Sequence, residues 1–106
     1  MTNSLIRPAV GVIDENSNAN NFSFYLFPNP TNGFVTVNYT MNVDAPISIE
    51  LYNMSGQRLK SIVPKQNQKK GTYSVQTSVA DLNAGAYIVK VTSGSQIESK
   101  QLIVNR

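Results

Sequence analysis

The chain has 106 residues, with nine Lys or Arg, six Asp or Glu, and no Cys, His or Trp. This length fits one domain with a core that needs no disulfide staple. The missing Cys and His remove the commonest zinc ligands, the thiol nucleophile and the commonest general base, and a formal net charge of +3 is too mild to argue for nucleic acid.

Residues 1–21 read as a linker or tail. Positions 14–21 are polar and Asn-rich without periodicity, a composition that buries too little apolar surface to offset the entropy of ordering. Asp14, Asn16 and Asn18 are spaced like the start of a calcium loop, but Ala19 stands where the loop needs Gly and Tyr25 where it needs an acid, so no calcium is expected. Leu5, Ile6, Val10, Val12 and Ile13 are available for an extra strand or a hydrophobic latch. The opening residues lack a charged segment followed by a long apolar run, so no signal peptide is expected. No stretch approaches the roughly 20 apolar residues of a membrane-spanning helix.

The remaining residues, 22–106, read as one domain. Phe24-Tyr25-Leu26-Phe27 is a short aromatic strand, stopped by Pro28-Asn29-Pro30-Thr31-Asn32-Gly33; two prolines lock φ and remove two donors, and Asn-Gly is a favoured turn pair. Val35, Val37, Tyr39 and Met41 then alternate as one strand face, and Ile47, Ile49 and Leu51 as another. The turn Asn53-Met54-Ser55-Gly56 leads into a return strand over 57–63 with Leu59 and Val63 on one side. A polar loop is expected over 64–71, followed by the strand of Tyr73, Val75, Thr77 and Val79. The strongest strand signal lies within 82–91: Tyr87, Val89 and Val91 share one face, Ala86 and Ile88 the other, as in a strand central to its sheet. After a turn at Ser93-Gly94-Ser95, the last strand covers 96–104. Its alternation slips between Ile97 and Leu102, which suggests a bulge or an edge position. About seven strands with turn signals every 8–12 residues or so, and no helical period, predict an all-β fold, an immunoglobulin-like antiparallel β-sandwich.

Four blocks of this sequence carry a resemblance. They are the 27–33 block with its Pro-Asn-Pro, Ile49-Glu50-Leu51-Tyr52-Asn53-Met54-Ser55-Gly56, the 82–91 block with its Gly-Ala-Tyr, and Lys100-Gln101-Leu102-Ile103-Val104. Together, in order and in register, they resemble the type A C-terminal sorting domain of the type IX (Por) secretion system of Bacteroidota. The resemblance covers about residues 24–106. It implies a secretion signal attached covalently to an upstream cargo, carried across the outer membrane by type IX translocon components. The domain is commonly removed at the surface by a sortase-like protease. The implied location is the periplasm in transit, then the cell surface or the extracellular space. It implies no cofactor, no catalysis, no nucleic acid and no membrane span, and leaves cargo and oligomeric state open.

By carry-over, Pro28, Asn29, Pro30 and Gly33 match the first sorting motif, Gly56 the central glycine turn, Gly85 and Tyr87 the Gly-x-Tyr block, and Lys100 the basic residue of the last strand. Each also has a bland reading: the prolines and Gly33 shape a turn, Gly56 and Gly85 supply unusual φ, and Tyr87 is core. Lys100 differs, because a lone lysine in the last strand is not needed for packing, so contact with the translocon is the sharper expectation there.

The alternative function is a small β-sandwich binding module for carbohydrate or protein, with Tyr25, Tyr52 and Tyr73 as a candidate face. The absence of tryptophan weakens the sugar case. A spacer domain with no sorting role is a third reading. An enzyme is not expected, because Asp14, Glu15, Asp44, Glu50, Asp81 and Glu98 suggest no nucleophile–base constellation.

Overall fold

The computed structural model describes residues 20–105. The calcium-like stretch at 14–18 and the apolar positions of 5–13 lie outside these residues. Seven strands follow one another: β1 (Phe22–Phe27), β2 (Phe34–Met41), β3 (Ala45–Asn53), β4 (Arg58–Gln68), β5 (Gly71–Ser78), β6 (Gly85–Ser93) and β7 (Gln96–Val104). They form a three-stranded sheet in the order β1-β2-β5 and a four-stranded sheet in the order β4-β3-β6-β7. Every pairing within the sheets is antiparallel. The two sheets pack as an immunoglobulin-like sandwich, as the alternation predicts.

The period-two pattern builds the core directly. Val35, Val37, Ile49, Leu51, Val89 and Val91 are all fully buried between the layers, because successive side chains on a strand point to opposite faces. β6 is central, paired with β3 on one side and β7 on the other. Its second face, with Ala86, Ile88 and Lys90, is half-buried, since no third layer covers it.

Two boundaries differ from the sequence expectation, and the pairing of β7 decides between two readings. β1 begins at Phe22, not Phe24, and both rings are buried, at 1% and 2% exposure; the Asn-rich stretch before it masks the start. β4 runs on through Pro64 to Gln68, so the expected loop at 64–71 shrinks to Lys69 and Lys70. Proline is tolerated there because β4 is an outer strand, and its pairing with β3 is already broken by register shifts. β7 pairs with β6 without a shift from Gly85↔Val104 to Ser93↔Gln96. Its slipped alternation therefore marks an edge strand, not a bulge: the inward positions change from Leu102 and Val104 to the polar Lys100 and Glu98.

The outer face of the larger sheet carries a charge network. The Tyr52 hydroxyl donates to Glu50 Oε1 at 2.8 Å, and Arg58 Nη1 lies 3.1 Å from Glu50 Oε2. Lys90 Nζ stands 4.8 Å from the Tyr52 ring centroid. The Tyr52 hydrogen bond, and after it the Arg58 guanidinium, hold the Glu50 carboxyl below its ordinary value. At the lateral edge, Lys60 Nζ donates to Ser78 O across the sheets at 2.6 Å and stands 3.5 Å from Asp81.

A carboxyl whose pKa is lowered by folding stabilises the native state above its unfolded pKa, and this contribution fades as pH falls through the folded value. Glu50→Gln is therefore expected to lower Tm relative to the unaltered chain near about pH 7, with the gap closing by about pH 3. Thermal melts of both proteins across that range would refute the assignment if the gap stayed constant.

Candidate functional site

The antiparallel register gathers all four sequence blocks at one end of the sandwich. Phe34 lies opposite Ser78, Asn53 opposite Tyr87, and Gly85 opposite Val104. This end carries the β1–β2 loop, the β3–β4 turn, the β5–β6 corner and the end of β7. The Val79 N–H donates to Gly33 O at 2.9 Å, tying the first loop to the corner. Residues 20 and 21 lie at the other end, where Asn21 N–H donates to Gln96 Oε1 at 2.6 Å and Asn42 Nδ2 to Asn20 O at 3.0 Å. At about 3.3 Å per residue, the nine residues of β7 separate the two ends by roughly 27 Å.

Asn29 does more than sit in a turn. Its side-chain Nδ2 donates to Gln101 O at 2.9 Å, and its Oδ1 accepts from Ile103 N–H at 3.0 Å. The side-chain amide thus occupies the edge of β7 as a peptide group of a neighbouring strand would. Two residues on, the backbone takes over: Thr31 N–H donates to Ile103 O at 2.9 Å, and Asn105 N–H donates to Thr31 O at 2.7 Å. Thr31 forms a parallel bridge with Val104. Pro28 and Pro30 flank Asn29, exposed, with cis peptide bonds before both. Thr31 is itself 3% exposed, and its hydroxyl donates to Phe34 O at 2.5 Å. Sequence reasoning gave Thr31 no role of its own; its signal is a lone hydroxyl residue directly after the Pro-Asn-Pro.

The glycines divide. Gly56 has φ +87°, which only glycine adopts cheaply. It closes a turn organised by Asn53, whose Oδ1 accepts from the N–H groups of Ser55 and Gln57, each at 3.0 Å. Gly85 has φ +154° at the start of β6. Gly33 has no such φ, and an added Cβ would meet nothing within 4 Å, so nothing in the backbone demands glycine there. The Tyr87 hydroxyl donates to Asn83 O at 2.6 Å, four residues back across the β5–β6 corner. This is the tyrosine corner of immunoglobulin-like sandwiches, and it gives Gly85 and Tyr87 a shared structural task. Beside the Gly56 turn, Tyr52, Met54, Ile88 and Lys90 line a shallow depression of about 300 Å³.

Lys100 has a contact inside the fold that the sequence does not announce. It lies on the inward row of β7, and its Nζ stands 5.3 Å from the centroid of Phe24. The cation caps the core where the β1 and β7 edges face each other, while the residue stays exposed. The three tyrosines proposed as a binding face do not share one. Tyr25 points outward from the smaller sheet, Tyr52 lies on the outer face of the larger one, and Tyr73 points inward, stacked on Tyr39 with centroids 5.3 Å apart.

A family model described as the secretion system C-terminal sorting domain matches residues 25–105. No curated protein matches the chain.

Asn29→Ala removes both links to β7 and is expected to cost about 1–3 kcal/mol. Asn29→Asp keeps the acceptor but sets a carboxylate oxygen against Gln101 O, so it should cost at least as much. Urea denaturation of both variants checks the order, and a neutral Asp variant would contradict the paired geometry. Tyr87→Phe is expected to lose about 1–2 kcal/mol by orphaning Asn83 O; an unchanged midpoint would remove the corner bond from the account.

Proposed function

We propose, from the premise that this chain belongs to the family of type IX secretion C-terminal sorting domains, that residues 22–106 direct an upstream cargo through the type IX translocon across the outer membrane. A sorting signal of this kind implies export to the cell surface or extracellular space. In the proposal the domain transits the periplasm folded, and a sortase-like protease removes it at the surface by cutting within residues 1–21. Its partners are a translocon component that reads the fold and the cargo that precedes it.

The observation that carries this reading is the gathering of the sorting blocks at one end of the sandwich. Asn20 and Asn21 lie at the opposite end, so a cargo joined before them hangs away from the surface to be read. That surface offers exposed Pro28, Asn29 and Pro30, the Gly56 turn with Met54 at 61% exposure, and the tail of β7. Tyr87 holds the corner beneath it through its bond to Asn83 O, and Gly33 and Gly85 lie in the loop and corner that border it. Lys100 keeps its proposed contact with the translocon alongside its place over Phe24. The domain acts as a signal and not as a catalyst.

Residues 21–106, fused behind a signal peptide and a fluorescent reporter, are expected to leave a Bacteroidota cell only when its type IX translocon works. Reporter held in the periplasm in both backgrounds would refute the proposal. Lys100→Met preserves the apolar stem over Phe24 and removes the charge, so folding should persist while export falls, with Lys100→Arg restoring it. Undiminished export of the Met variant would leave Lys100 with its packing role alone.

A further inference from the structure

The outer face of the smaller sheet carries no charge. No Lys, Arg, Asp or Glu stands anywhere in β1, β2 or β5, whereas every strand of the larger sheet carries at least one. A soluble surface typically holds about 25–35% charged residues. The outward positions alternate with the buried ones. They are Tyr25 and Phe27 on β1, Phe34 at the start of β2, and otherwise hydroxyl and amide residues, with no aliphatic side chain among them. Tyr25, Phe27 and Phe34 are 66%, 47% and 53% exposed, while every other aromatic residue among the described ones is buried or half-buried. Tyr25 and Phe27 stand two residues apart on one strand, about 7 Å. Phe27 faces Thr36, so Phe34 lies diagonal to it, about 7–8 Å away. The three make a row roughly 14 Å long. Polar groups back this row across the sheet: Asn38 stands beside Tyr25, and Thr36 and then Gln76 beside Phe27. The side-chain amides of Asn38 and Gln76 make no hydrogen bond among the described residues.

We propose that this face binds a neutral glycan chain laid along the aromatic row. The chemistry of the face selects that occupant. A charged ligand finds no counter-charge on it. An apolar protein surface pressed against it would bury hydroxyl and amide groups without satisfying them, which is costly. A neutral sugar offers both things the face can use. Its C–H face packs on an aromatic ring, and its hydroxyls donate and accept, as the Asn38 and Gln76 amides and the Thr36 hydroxyl do. Tyr25, Phe27 and Phe34 supply the platform in a chain that has no tryptophan. A row of this length fits an extended oligosaccharide; a single sugar would call for a concave pocket. The site does not depend on the sorting role, and the purified chain tests it without a translocon.

Isothermal titration of the full chain with cellohexaose, mannohexaose and laminarihexaose, at up to about millimolar ligand, tests this, with polygalacturonate as the acidic comparison. Saturable binding of at least one neutral chain is expected, and none of polygalacturonate. Tyr25→Ala and Phe34→Ala should each weaken it by about 2- to 12-fold. Gln76→Ala leaves the rings in place and should cost a similar factor, about 2- to 12-fold. Ile97→Ser, at a residue of the larger sheet that is 58% exposed, should leave the affinity unchanged. All four positions are exposed, so thermal melts should show each variant folded. No binding of any of the three neutral chains would overturn the proposal and leave the face to a protein contact. Polygalacturonate bound as tightly as the neutral chains, or ring variants that bind as well as the unaltered protein, would overturn it too.

Discussion

The sandwich depends on how its layers are fastened at their sides. Two sheets of three and four strands present four outer strands, and an outer strand offers backbone groups that its own sheet does not pair. On one side the fastening is the segment from Asn29 to Thr31, which joins the end of β7 first through a side-chain amide and then through the backbone. On the other side it is Lys60, reaching Ser78 O and Asp81. The core between them is ordinary, a set of aliphatic residues at period two. The fastenings are where specific residue types become necessary, and the first coincides with the first of the four blocks that carry the family resemblance.

That coincidence changes how the sorting blocks are understood. Asn29, Gly56, Gly85 and Tyr87 each solve a local problem of chain reversal or edge closure: a side chain in place of a peptide, a left-handed turn, a corner bonded by a hydroxyl. The surface proposed for recognition and the surface that folds one way are here built from the same residues. A translocon that reads this end would be reading correct closure as much as sequence.

Most of the fold was legible in the chain because alternation reports burial wherever one strand face is covered. β2, β3 and β6 carry clean patterns, while the break in that of β7 allowed a bulge or an edge, and its unshifted register leaves the edge. The extension of β4 was not legible, since Pro64 reads as a stop and only its place at the sheet edge permits it. The start at Phe22 was hidden by its Asn-rich approach. Within the site, the special glycines at 56 and 85 were legible as turn residues. The role of Asn29 was not, because no local pattern announces a hydrogen-bond partner 74 residues away. The contact of Lys100 was hidden for a related reason: the Phe24 ring it covers belongs to the other end of the chain.

The distance between Asn29 and its partner strand has a bearing on how the molecule is assembled. Among the described residues every other strand precedes β7, and β7 supplies both the second neighbour of β6 and the strand that the Asn29 strap joins. A polypeptide emerging from the ribosome can pair β1 with β2 and β3 with β4 as it appears, but it holds the strap unused until residue 103 arrives. Loop-closure entropy makes so remote a contact slow to form. Closure is therefore a terminal step in the biogenesis of the domain, and a transcript truncated anywhere before β7 yields a protein with its seam unsewn.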